Sequence, residues 1–98
     1  MNMQAMMKQA QQMQKEMMKI KAEIDETEFL TENEVIKLKM LGNKEIVSYE
    51  IKLDDLEKAD KEMIEDMTVV AFKETLAKIE NEKEAKLGPY TKGMAGLI

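Results

Sequence analysis

Apolar side chains at Met3, Met6, Ala10, Met13, Met17, Ile20 and Ile24 follow one another at gaps of three and four without a miss. That spacing puts all seven on one stripe of an α-helix, at the a and d positions of a heptad. Lys8, Gln12, Lys15 and Lys19 repeat the alternation on the opposite side. The stretch is rich in helix formers and contains neither Gly nor Pro. It predicts one helix from the N-terminus to about Glu26. At ~1.5 Å per residue, some 24 residues make a rod of roughly 36 Å.

The rest of the chain is too short to ignore such a rod. Ninety-eight residues make a single domain, 1–98. A chain of this size is a natural candidate for borrowing core from a second copy. Thr27–Thr31 is a short strand candidate, and Glu32-Asn33-Glu34 is a polar break. Val35–Leu41 is a better strand, with Ile36, Leu38 and Met40 on its apolar face. Gly42-Asn43-Lys44 supplies a turn, where Gly and Asn tolerate positive φ. Ile46–Leu53 closes the sheet with Val47, Tyr49, Ile51 and Leu53 on one face.

Asp54-Asp55 reads as a helix start, and the acids that follow suit a helix N-terminus. A second long helix should fill 54–87, a short turn coming first and the main helix running from about Lys58 or Asp60 to Lys86. Met63, Ile64, Met67, Val70 and Ala71 give it a broad early face, and Val69, Phe72, Leu76 and Ile79 a narrower stripe. Gly88-Pro89 should stop it and leave 88–98 as a flexible tail. The expectation is α/β (α+β): a three-stranded antiparallel meander between two long helices. Strands of about six residues span ~20 Å, so both helices should overhang the sheet. A seam of seven apolar residues left in water is unfavourable, at ~1.5–3 kcal/mol for each fully buried large side chain. The second helix, another copy, or both should cover it.

Composition excludes several chemistries. There is no Cys and no His. Disulfides, thiolate or imidazole metal sites and the commonest acid–base residue are therefore missing. No nucleophile–base pair or Gly-rich phosphate loop can be assembled, so no enzyme, cofactor or small-molecule substrate is expected. The acids from Glu57 to Asp66 fit no calcium-loop spacing, and no metal is expected. No apolar run is long enough to span a membrane, and the first helix has too few cations and no large aromatics for a membrane surface.

The net charge of −5 is unevenly spread. Residues 1–21 hold four Lys against one Glu, residues 22–66 six Lys against fifteen acids, and residues 67–98 five Lys against four acids. Every cation is Lys. The basic excess at the N-terminal helix favours phosphate, although exposed helix faces are commonly charged for solvation alone. Without Arg, bidentate reading of guanine is closed, which predicts weak sequence preference.

Met7-Lys8-Gln9-Ala10-Gln11-Gln12-Met13-Gln14-Lys15-Glu16-Met17 resembles the opening of the YbaB/EbfC family of nucleoid-associated proteins. The resemblance returns at Leu41-Gly42-Asn43-Lys44-Glu45-Ile46, at Ile64-Glu65-Asp66-Met67, and at Val70-Ala71-Phe72 and Leu76-Ala77-Lys78. It implies an α/β/α homodimer whose two sheets join, with helices projecting like tweezers. It also implies binding to double-stranded DNA in the cytoplasmic nucleoid. The positions it assigns to DNA carry Lys8, Lys15, Lys19 and Lys21 on the first helix and Lys78, Lys83 and Lys86 on the last, and Gln12 joins them as a member of the Lys8–Lys19 stripe. A different class of function stands beside it. Helical arms bearing Met7 and Met18 off the seam would suit a protein-interaction module that clasps a protein and not DNA.

Overall fold

A computed structural model describes residues 2–95. The order is α1 (Met3–Glu26), β1 (Glu28–Glu32), β2 (Ile36–Leu41), β3 (Ile46–Ile51) and α2 (Lys58–Ala95). The strands form one antiparallel sheet in the order β1-β2-β3. This is the expected α+β meander between two helices. The molecule measures 70 × 20 × 14 Å, because α1 and α2 run far beyond strands of five and six residues.

Local chemistry sets the ends of α1. The Asn2 side chain accepts a hydrogen bond from the Gln4 amide at 3.0 Å, satisfying one orphan donor of the first turn. Thr27 leaves the helix in an extended conformation, and its amide still donates to the Ile24 carbonyl. The sheet starts at Glu28, one residue later than the sequence suggests. Asn33 organises the β1–β2 connection. Its Oδ1 accepts from the amides of Val35 and Ile36, and its Nδ2 donates to the Met67 carbonyl on α2.

The core lies on one face of the sheet. Phe29 and Thr31 on β1, and Ile36, Leu38 and Met40 on β2, alternate inward. They meet Ile24 of α1 and Ala71, Thr75 and Ile79 of α2. Thr75 was not part of the expected helix face. Its hydroxyl donates to the Thr31 hydroxyl at 2.7 Å and also lies within hydrogen-bonding distance of the Ala71 carbonyl, so burial leaves no polar atom unpaired. Of the narrow stripe expected on α2, Ile79 is buried and Phe72 half-buried, but Val69 and Leu76 are exposed.

Strand β3 departs most from expectation. It ends at Ile51, and all six of its residues are exposed. The pairings Ile36↔Ile51 and Leu38↔Tyr49 put Tyr49 and Ile51 on the core side. A bulge then skips Val47 and sets Ile46 opposite Met40. The side of the strand is right, but it is an edge strand and the helices reach only part of it. Tyr49, 43% exposed, touches α2 through its hydroxyl, 2.8 Å from that of Thr68. Leu53, just past the strand, packs half-buried against the core.

The second helix begins where its main body is expected and departs from the reading only at its end. It starts at Lys58, where the Glu57 amide donates to the Asp60 carboxylate and the Asp60 amide to the Glu57 carbonyl. It continues through Gly88 and Pro89 to Ala95. Proline removes one helical hydrogen bond and crowds the carbonyl four residues back, at a cost of ~3 kcal/mol in a helix interior. Contacts on both sides of the proline offset it. Leu87 packs toward the core, the Thr91 hydroxyl donates to the Leu87 carbonyl, and Tyr90 reaches α1. Of the tail expected at 88–98, residues 88–95 are helical, and 96–98 lie outside the described residues.

Candidate nucleic-acid interface

The seam on α1 is buried in a gradient. Ile24 is buried at the sheet, and Ala10, Met13, Met17 and Ile20 are half-buried. Met6 and Met3 are exposed, at 44% and 76%. The seam therefore serves as core at the root of the rod and is open at its outer end.

Opposite the seam, Lys8, Gln12, Lys15 and Lys19 are all exposed. With Gln11 and Glu16 they line one shallow depression along the rod. Among the described residues, no carboxylate lies within 4 Å of Lys8, Lys15, Lys19 or Lys21 in an ion pair; the pairs formed are Lys39–Glu28, Lys44–Glu80, Lys52–Glu32 and Lys86–Glu82. Lys21 is exposed but follows Lys19 by two residues, which turns it off the stripe.

The three lysines on α2 differ from those on α1. The Lys78 ammonium donates to the Leu30 carbonyl at 2.7 Å and the Thr31 hydroxyl at 3.2 Å, which ties it to β1. Lys86 sits 3.0 Å from Glu82 one turn back. Lys83 is half-buried and shares a shallow depression with Glu80 and Glu84. On α2 the cations are interleaved with acids, whereas between Met3 and Lys21 the rod carries a single carboxylate, Glu16. Sequence spacing could find the α1 stripe, but not the engagement of Lys78 with a strand 48 residues away.

No helix among the described residues is long and apolar enough to cross a membrane. None of their His, Cys, Asp and Glu side chains form a group of three placed to hold a metal ion.

The model of the YbaB/EbfC DNA-binding family matches residues 1–94. The chain belongs to that family. A nucleoid-associated protein of Enterococcus faecalis is 43% identical over 97 residues, covering 97% of this chain and 93% of the relative. One from Lactococcus lactis subsp. lactis is 38% identical over 96 residues, covering 96% and 97%. One from Streptococcus suis is 36% identical over 92 residues, covering 92% and 93%. The family match runs through both helices and the sheet. The YbaB/EbfC family is described by DNA binding and not by a catalysed reaction.

Proposed function

We propose that the chain is a nucleoid-associated protein that binds double-stranded DNA with little sequence preference. It acts as a homodimer in the cytoplasmic nucleoid and affects nucleoid organisation and gene expression. The observation that carries the reading is the row of Lys8, Lys15 and Lys19, exposed on one side of a projecting helix with no carboxylate partner among the described residues. Family membership supports it. Lysine neutralises phosphate as a point charge and releases counterions, which gives affinity without reading bases. Lys21 and Gln12 flank the row. Lys78, Lys83 and Lys86 are secondary contacts, because each already has a partner or an acidic neighbour.

The homodimer is supported by β3. Ile46, Val47 and Tyr49 leave an apolar edge strand in water, and such an edge invites pairing with another strand. Two copies joined there would form one sheet with two pairs of arms and eight α1 lysines.

A salt titration of duplex binding tests the mechanism. If about six phosphates are neutralised, log affinity falls with log salt at a slope near −5. A slope near zero removes it. Replacing Lys8, Lys15 and Lys19 together by Ala should weaken binding to any sequence; unchanged gel retardation would reject these contacts. Light scattering checks the dimer, and a monomer mass at micromolar concentration would remove it.

A second reading rests on Met7 and Met18, 59% and 64% exposed beside the seam. The arms would then clasp a protein. Partners retained after nuclease and high salt would favour that reading over DNA.

A further inference from the structure

Glu16 is the one acid on the outer part of α1, and it sits beside the basic row. It follows Lys15 directly, lies four residues after Gln12 and three before Lys19. Helix residues three or four apart are neighbours, and an acid N-terminal to a lysine is the favoured order for pairing. Left to itself, Glu16 would turn toward Lys19 and neutralise it.

The structure shows a different partner. Tyr90 comes from the last part of α2, beyond Pro89, and its hydroxyl donates to Glu16 Oε2 at 3.3 Å. Lys19 has no carboxylate within ion-pair distance among the described residues. The Tyr90 phenol is pushed above its ordinary pKa by partial desolvation, then by the Glu16 charge and by this hydrogen bond. It therefore keeps its proton and remains a donor.

We propose that Tyr90 is a positioning residue for the basic row: it holds the Glu16 carboxylate against α2 and leaves Lys19 free for phosphate. The inference rests on the DNA-binding reading above. It gives the helical stretch past Gly88-Pro89 a task, since without it Tyr90 could not reach α1.

The test uses the full chain with Y90F, E16Q and the double variant. Binding to a short fluorescent duplex is followed by anisotropy over a range of salt. Y90F should weaken binding about tenfold or more near 0.1 M salt and flatten the log–log salt slope by about 1 to 2, roughly 0.9 for each phosphate that a lysine on either arm ceases to neutralise. E16Q should not weaken binding, and adding Y90F to E16Q should change nothing further. Y90F binding like the unmodified chain overturns the inference and leaves the DNA reading standing. An equal loss from Y90F in the E16Q background also overturns it, because Tyr90 would then act on helix packing and not through Glu16. Failure of the unmodified chain to bind duplex at any salt removes both readings together.

Discussion

A Cβ built on Gly42 would lie 1.9 Å from the Ile24 carbonyl oxygen and 2.6 Å from its carbon. The turn between β2 and β3 is thus pressed onto the end of α1. Backbone bonds hold it there: the Gly42 amide donates to the Thr27 carbonyl at 3.0 Å and the Asn43 amide to that of Asp25 at 3.4 Å. Gly42 has no positive φ, so space and not backbone freedom requires it. G42A must push rigid backbone aside. Overpacking of this kind costs about 2–3 kcal/mol, to be read from urea unfolding. A G42A protein as stable as the parent would contradict the contact.

The strained residue of the same turn lies two positions further on. Lys44 has φ 73°, a left-handed conformation that costs a side chain about 1–2 kcal/mol. K44G removes that cost but adds the entropy of glycine in the unfolded chain, about 0.5–1 kcal/mol. Losing the exposed Lys44–Glu80 pair at 3.9 Å matters little. The expected result is a gain of about 0.5 kcal/mol, visible as a raised thermal midpoint. A destabilised K44G would show that the turn is held by something other than backbone geometry.

The pattern of what sequence could and could not show is physical. Helix α1 and the alternation of Ile36, Leu38 and Met40 are local periodicities, and both were legible. So was the basic row, because it obeys the same spacing as the seam. The positive φ expected of Gly42 or Asn43 falls instead on Lys44, since the turn is shaped by its contact with α1. The exposure of β3 depends on where two helices end in space, which no alternation in the strand encodes. Thr75 reads as polar until Thr31, 44 residues away, is seen to pair with it. Gly88-Pro89 is a sound local stop that tertiary contacts override. The tie between Glu16 and Tyr90 spans 74 residues and left no signal in either neighbourhood.

The Thr31–Thr75 pair should behave as a unit. Both hydroxyls are buried, and Thr31 Oγ1 accepts from Thr75 and also from Lys78. T75V removes one partner and leaves buried polarity less well paired, at about 1–2 kcal/mol. Replacing both by Val removes the need along with the bond, so the double variant should cost less than the sum of the singles. A double-mutant cycle from denaturant midpoints measures the coupling. Strict additivity would mean that the hydroxyls act independently.

Glu32 and Lys52 give the pH dependence its sign. Lys52 Nζ lies 3.0 Å from Glu32 Oε1 and also donates to the Asn33 carbonyl at 2.8 Å. The hydrogen bond from Lys52, and then its charge, hold the Glu32 carboxyl below its ordinary value, and Lys37 adds to the effect against slight desolvation. A carboxyl with a lowered folded pKa contributes stability above its unfolded value and loses it as pH falls through the folded one. K52M removes that contribution at neutral pH but has nothing left to remove once Glu32 is protonated. The gap in thermal midpoint between the parent and K52M should therefore be widest at neutral pH and narrow as the pH falls through the lowered folded pKa of Glu32. A residue of the gap should persist at low pH, because the bond to the Asn33 carbonyl does not titrate. A gap constant across the range would assign the whole effect of Lys52 to that carbonyl and none to Glu32.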